Sequence, residues 1–421
     1  MIITFITFIL CAQDTLVLDL NAAIDYALAN NTEIKSLALD QEQAGYRVRE
    51  ALGNFYPSLT ATGYYAYLTN VPVIDIGGMP IPMGLHDNYN VQVSLQQVLF
   101  AWGKLYDAYR IADIGRSICD LTLQRKKQDI RFRVTQSFYS MLVLEEMVTL
   151  TRESYEQLQR HEDAVRKRYE AGMVPQIELI RAQVEVANIK PRVLEAKNGR
   201  QLARNGFQVL LGMDLDQAFD ISGTLDFADE DFDLDTLTSQ ALTGRPEIRS
   251  LESAVRIAEL SRSLARRTNL PTIVAGATFA GMKPTGLNED KWGSNLTFNL
   301  GFSLPIFSGF RTAAQARQAA LAIEKARLAV DDVRKGIALE VKDAYFTFET
   351  SREIVAAARE NLVQADRAVG MMENRYQNGL ATNLEYLDVQ LAQMQARTNY
   401  LSAAKDYHNA RAAIYRAIGK E

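Results

Sequence analysis

Hydrophobic positions along this chain recur with two different periods, and the change from one to the other happens twice. Leu20–Gly53 and Leu234–Arg267 each read as an amphipathic helix of moderate length. Short stretches of strict alternation follow. Asn90-Val-Gln-Val-Ser-Leu95 puts Val91, Val93 and Leu95 on one face and Asn90, Gln92 and Ser94 on the other. Asn295–Leu304 does so for longer, bringing Leu296, Phe298, Leu300, Phe302 and Leu304 together. Leu59–Thr69 and Ile273–Met282, rich in β-formers and aromatics, are the expected partner strands. Helical periodicity then resumes, in a proline-free stretch from Trp102 to Val174 and another from Phe310 onward. About 70 helical residues rise roughly 100 Å, too long for one compact globule.

The two rounds are copies of one another. Glu33-Ile34 and Pro57 correspond to Glu247-Ile248 and Pro271 at an offset of 214, and Ala27-Leu28 corresponds to Ala241-Leu242. Further along the offset is 207, pairing Phe100 with Phe307, Arg110 with Arg317, Tyr169 with Tyr376, Gly172 with Gly379 and Gly212 with Gly419. The slip of seven falls between Pro57 and Phe100, where the Gly/Pro-rich loop Val71–Pro82 has no equally long counterpart. A hairpin loop is where an insertion costs least. Repeat 1 is thus placed at 13–213, with strands about 57–69 and 88–99 and long helices about 102–171 and 175–211. Repeat 2 is placed at 236–421, with strands about 271–283 and 293–305 and long helices about 309–378 and 382–419. Pro191, inside the first return helix, is expected to kink or interrupt it. Residues 214–235 are acidic and irregular and read as an equatorial linker crossing the outside of the helices, with a plain solvated loop as the alternative. The fold class is mainly α with a small β part.

Composition narrows the class. Hydrophobic residues make up 48% of the 421, and after the N-terminus no apolar run is long enough to cross a bilayer as a helix. The net charge of −5 is spread along the chain and gives no basic face for nucleic acid. Cys11 and Cys119 make no disulfide framework. Residues 1–12, MIITFITFILCA, followed by Gln13-Asp14, resemble the apolar core and cleavage end of an export signal, without its basic start. Cys11 follows bulky Leu10, where a lipidation motif expects a small residue.

Strands of about ten residues match the length that spans an outer membrane with tilt. One chain supplies four, and open sheet edges in lipid cost several kcal/mol per backbone group. Other chains must therefore complete a barrel, two giving eight strands or three giving twelve. Tyr64, Tyr65, Tyr67, Tyr89, Phe100, Trp102, Phe279, Trp292 and Phe307 cluster at or near the strand ends and suit interfacial girdles.

This doubled helix, hairpin and long helix pair resembles the TolC outer-membrane efflux family over essentially the whole chain. The passages Ser94–Lys104 and Ser303–Gly309 resemble its apolar-Phe-x-Gly element. Arg168-Tyr169-Glu-Ala-Gly172 and Arg375-Tyr376-Gln-Asn-Gly379-Leu380 resemble its helix-turn signature. The resemblance implies a homotrimer with a twelve-stranded β-barrel in outer-membrane lipid, set on an α-helical periplasmic tunnel. It also implies passive conduction in partnership with a periplasmic adaptor (membrane fusion) protein and an inner-membrane RND pump or ABC exporter.

Catalytic machinery is not expected. His86, His161 and His408 lie far apart without zinc spacing, and no P-loop or nucleophile elbow occurs. The informative polar groups follow the tip glycines. Glu385 and Asp388, at i and i+3, share a helix face. The resemblance implies that they constrict the channel and favour cations, with Glu385 standing where an aspartate is usual. The equivalent positions in repeat 1 are Glu178 and Arg181, and Arg181 can pair with a neighbouring carboxylate to hold the tip closed. Gly172, Met173, Gly379 and Leu380 are candidate adaptor-docking tips. The competing reading is an elongated coiled-coil scaffold without a channel, which leaves the alternating strands and the export segment unexplained.

Overall fold

The computed structural model describes residues 16–227, 230–286 and 289–420. The export segment and Cys11 lie outside the described residues. Repeat 1 runs through β1 (Leu16–Leu18), α1 (Leu20–Asn30), α2 (Thr32–Gly53), β2 (Ser58–Tyr67), β3 (Val73–Ile76), β4 (Met79–Pro82), β5 (Asp87–Phe100), α3 (Lys104–Glu170) and α4 (Gln176–Leu211). A connecting segment holds β6 (Phe219–Ile221). Repeat 2 follows with α5 (Leu234–Gly244), α6 (Pro246–Arg267), β7 (Thr272–Lys283), β8 (Gly293–Ser303), α7 (Arg311–Gln377) and α8 (Asn383–Ala417).

The chain divides into two compact units. One comprises residues 39–121 and 249–331, and its centre is an antiparallel sheet in the order β2-β5-β7-β8. Leu59 lies opposite Leu95, Leu95 opposite Ala277, and Ala277 opposite Phe298. One residue over, Thr60, Ser94, Thr278 and Thr297 form a row of hydroxyls on the other face, with Ser94 Oγ 3.2 Å from Thr278 Oγ1. On the central strand β5 the apolar side chains are the exposed ones: Val91, Val93 and Leu95 are exposed while Asn90, Gln92 and Ser94 are half-buried, and on edge strand β8 Leu300 is 73% and Phe302 78% accessible. That is the reverse of a water-soluble sheet, and it is the arrangement of a strand layer with lipid on one side and water on the other.

Two aromatic groups mark the ends of this sheet. Tyr65, Tyr89 and Trp292 adjoin at one end, with ring centroids 5.0 and 6.0 Å apart. Phe100 with Trp102 and Phe307 with Phe310 adjoin at the other, at 5.1 and 5.6 Å. Two of the expected girdle residues sit elsewhere. Phe279 lies within β7 opposite Val93, and Tyr64 shares the face of Thr60 and Thr62. At each strand-to-helix passage two consecutive residues are left-handed, Trp102-Gly103 (φ 54° and 76°) and Gly309-Phe310 (φ 62° and 61°). These positions correspond at the 207 offset, yet the glycine comes second in one repeat and first in the other. The backbone shape is kept although one bulky residue per passage is held in a region that costs about 1–2 kcal/mol.

The other unit comprises the described residues of 1–38, 122–248 and 332–421 and is helical. Its helices lie side by side in the order α4-α3-α8-α7. Phe138 of α3 meets Phe207 of α4, Tyr139 of α3 stacks on His408 of α8 at 3.9 Å, and Phe348 of α7 meets Tyr407 of α8. Each repeat has its own core. Buried Ala27, Ile34, Ile130, Val134 and Phe207 in the first match buried Ala241, Ile248, Ile337, Val341 and Ile414 in the second, at the same two offsets.

Four expectations need correction. The first helix of each repeat is broken, at Asn31 and at Arg245, which are equivalent positions. Asn31 Oδ1 accepts from the N–H of Glu33 (2.9 Å) and caps α2, while its Nδ2 donates to Leu210 O (2.7 Å). Arg245 Nη1 donates to the equivalent carbonyl, Ala417 O (3.3 Å), and Pro246 opens α6. Second, of the two expected effects of Pro191 an interruption does not occur: α4 runs unbroken from Gln176 to Leu211, with Ile189 and Phe207 buried on either side of the proline. Third, Val71–Pro82 is no irregular loop: β3 and β4 pair as a small hairpin around Gly77-Gly78, both with positive φ. Fourth, the connecting segment is anchored rather than solvated. Its β6 pairs in parallel with β1, Phe219 is fully buried, Phe232 packs on Phe348, and Glu230 receives Arg411 and Tyr415.

Candidate functional site

The two helical turns that the sequence singles out have the same build. α3 ends where Gly172 N–H bonds to Tyr169 O (2.9 Å) and Met173 N–H to Arg168 O (2.8 Å). α7 ends where Gly379 N–H bonds to Tyr376 O (3.1 Å) and Leu380 N–H to Arg375 O (2.8 Å). Both glycines are left-handed, at φ 71° and 72°, which satisfies the last helical carbonyls at no Cβ cost. Each turn therefore presents an apolar side chain outward, Met173 at 74% and Leu380 at 68% accessibility.

The return helices start differently. α4 begins after Pro175 without a side-chain cap, whereas α8 begins with a reciprocal capping box. Thr382 Oγ1 accepts from the N–H of Glu385 (3.3 Å), and Glu385 Oε2 accepts from Thr382 N–H (2.7 Å) and its hydroxyl (2.9 Å). Those donors hold the Glu385 carboxyl below the usual carboxylate range. Glu385 thus stays charged at neutral pH and in a fixed rotamer. Glu385 and Asp388 are both exposed, while Asn383 and Tyr386 turn into the protein. In repeat 1, Glu178 is half-buried and Arg181 exposed, and among the described residues neither forms an ion pair. The expected pairing of Arg181 is therefore not made within the chain.

Sequence reasoning missed the group that joins the two tips. His161 of α3 is buried, its Nε2 2.5 Å from Asn383 Oδ1 at the start of α8. Asn383 Nδ2 in turn donates to Glu178 O on α4 at 3.5 Å. Around His161 stand Tyr376 and Tyr386, stacked on each other with centroids 5.0 Å apart, and Arg168 lies over the Tyr376 ring. All four long helices contribute residues here. Burial pushes the His161 imidazole below its ordinary value, against the opposing pull of Asn383. The only hint in the sequence is that Ala368, Gln176 and Leu179 stand at the equivalents of His161, Asn383 and Tyr386.

Among the described residues no cluster of His, Cys, Asp or Glu is placed to hold a metal ion, and no helix is long and apolar enough to cross a membrane. The chemistry on offer is a lipid-compatible sheet face and two polar-lined helical turns.

Comparison with known proteins agrees with this layout. The sequence model of the outer membrane efflux protein family matches residues 23–213 and 237–420, one stretch in each repeat. The chain is 22% identical to the outer membrane protein TolC of Escherichia coli K12, over 93% of this chain and 80% of that one. It is 23% identical to the alkaline protease secretion protein AprF of Pseudomonas aeruginosa, over 96% of this chain and 85% of that one. Its fold is similar to the crystal structure of the Campylobacter jejuni CmeC outer membrane channel, with a TM-score of 0.81 at 19% identity, covering 95% of this chain and 85% of that one.

Proposed function

This chain belongs to the outer membrane efflux protein family and is an outer-membrane channel component; from that premise we propose that three copies close into one duct that conducts passively. The observation that supports this is a matched set of unfinished edges. Among the described residues β2 and β8 each pair on one side only, with apolar side chains facing outward. Backbone groups left unpaired in lipid cost several kcal/mol each, so β8 of one copy pairs with β2 of the next.

The helical layer ends in the same way. On α4, exposed Ile180, Val184, Leu202 and Val209 lie about half a turn around from buried Ala182, Ile189, Phe207 and Leu211. On α7, exposed Leu339, Phe346 and Met371 lie opposite buried Ile337, Val341 and Phe348. A helix with two opposed apolar stripes has a neighbour on both sides, and the second neighbour comes from another copy. Two copies would make eight strands, a barrel about filled by its own side chains, whereas twelve strands leave room for a water-filled lumen.

In the trimer the tips carry the gate. Glu385 and Asp388, repeated three times, line the constriction and favour cations, with Glu178 and Arg181 beside them. Met173 and Leu380, presented by Gly172 and Gly379, dock a periplasmic adaptor. An inner-membrane RND pump or ABC exporter supplies the energy. Planar-bilayer recordings test the gate. Glu385→Gln with Asp388→Asn is expected to lower the cation-to-anion permeability ratio severalfold, and an unchanged ratio would remove the pair from the constriction.

A further inference from the structure

A cleft of about 660 Å³ opens between the last turns of α6 and the first turns of α7. Its charges do not balance. Five arginines line it, Arg262, Arg266, Arg267, Arg317 and Arg327, against Glu259 and Glu324. Arg327 is committed to Glu259 at 3.0 Å, and Arg267 to Asp107 at 2.7 Å. Among the described residues no carboxylate lies within ion-pair distance of Arg262, Arg266 or Arg317. Arg262 Nε is moreover buried without a hydrogen-bond partner. Three guanidinium groups without a carboxylate partner around one cleft leave a net positive site that suits an anion.

Arg317 has an arginine, Arg110, as its counterpart, but the duplication shows that the helix packing does not require Arg262 and Arg266. At the 214 offset Arg262 and Arg266 correspond to Val48 and Leu52, which occupy the same turns of α2. The position of the cleft indicates the ligand. Arg266 lies six residues before β7 begins, and Arg317 six residues into α7. At about 1.5 Å rise per helical residue, Arg266 sits about 9 Å and Arg262 about 15 Å below the start of β7. Phe307 and Phe310 mark the membrane interface at that end.

We propose that Arg262, Arg266 and Arg317 bind the phosphate of a phospholipid headgroup in the periplasmic leaflet of the outer membrane, one per protomer. Guanidinium forks suit phosphate oxygens better than any other protein group. The site rests on the sheet lying in the membrane, a reading that membrane fractionation tests separately.

The test is native mass spectrometry of the detergent-extracted full-length protein titrated with dioleoylphosphatidylglycerol. Dioleoylglycerol serves as the phosphate-free control and inorganic phosphate as competitor. Saturable binding of the phospholipid, absent for dioleoylglycerol, is expected to weaken by on the order of tenfold or more in Arg262→Gln/Arg266→Gln/Arg317→Gln. It should weaken by less in exposed Arg266→Gln alone, and not at all in Arg256→Gln, which lies outside the cleft. Circular dichroism confirms that the variants fold. Equal binding by wild type and triple variant, or equal weakening by Arg256→Gln, would overturn the proposal. Displacement of the phospholipid by millimolar inorganic phosphate would overturn the lipid assignment and identify a soluble phosphate-bearing anion as the ligand.

Discussion

His161 connects proton chemistry to the packing of the helical tips at the scale of one residue. In the folded protein burial holds it neutral below its ordinary value, near 6.5 in an unfolded chain. Above that value both states are neutral and the contact with Asn383 costs nothing. As pH falls below it, the unfolded or splayed state takes up the proton first, so the packed tip loses stability. Arg168 lies nearby and opposes the charge, while Glu178 favours it. Acidification from pH 7.5 to 5.5 is expected to lower hydrogen-exchange protection around 157–165 and 376–390, and His161→Gln, which keeps a hydrogen-bonding side chain, should abolish that pH dependence. Equal pH dependence in wild type and variant would exclude His161 as its source. The exposed positions of Glu385 and Asp388 on α8 were legible in the sequence because helical spacing from Gly379 places them. The partner of His161 was not, because 222 residues separate it from Asn383 and only tertiary packing of the four long helices brings them together.

Among the elements, the instructive case is the break in the first helix of each repeat. Neither Asn31 nor Arg245 disturbs local helical periodicity, so both segments read as single helices. At the end of α1 and of α5 the side chain of Asn31 or Arg245 instead bonds to a carbonyl of a distant return helix, Leu210 or Ala417. The two repeats meet the same need with different chemistry. Glu33 pairs with Lys126 and Arg133, whereas Glu247 pairs with Arg245, and position 340, equivalent to 133, is a glutamate that also binds Arg245. Arg245→Met would leave Glu340 without its cation and Glu247, with only 11% of its side chain accessible, with exposed Arg125 at 3.3 Å as its remaining partner. A loss of about 2–3 kcal/mol in denaturant unfolding is expected, against about 1–2 kcal/mol for Asn31→Ala.

The glycines at helix ends separate in the same way. A Cβ at Gly212 would fall 2.5 Å from Asn30 O at φ +77°, while one at Gly379 would meet nothing within 4 Å. Gly212→Ala should therefore cost well over the roughly 1–2 kcal/mol of backbone strain that Gly379→Ala incurs. Similar losses would show that the α1–α2 junction yields easily. The strand and long-helix boundaries were legible to within three residues because their periodicity is long. The β3–β4 hairpin was hidden by its prolines, and β6 by its acidic neighbours and its three-residue length.

For the whole molecule, the repeat accounts for the layer of strands and helices, and the open edges for the proposal that one copy is not enough. A monomer with this sheet has a lipid-compatible face but two open sides, and its helical layer has an apolar stripe on each flank. Placing a charge on one stripe, Val184→Asp with Leu202→Asp, should leave the helical content of the chain unchanged and shift the purified protein from oligomer to monomer in light scattering. Retention of the oligomer would move the interface elsewhere. The doubled pattern in the sequence revealed this architecture, since alternation gave the faces of the strands and offsets gave the correspondence of the helices. The order α4-α3-α8-α7, which decides which helices are the flanks, depends on side-chain contacts between repeats that no local pattern encodes.

The most direct test of the central claim is the native mass of the complex extracted from the outer-membrane fraction. Three chains per complex, recovered from the membrane and heat-resistant, is the predicted result. A monomer or dimer, or recovery in the soluble periplasmic pool, would contradict a shared twelve-stranded barrel.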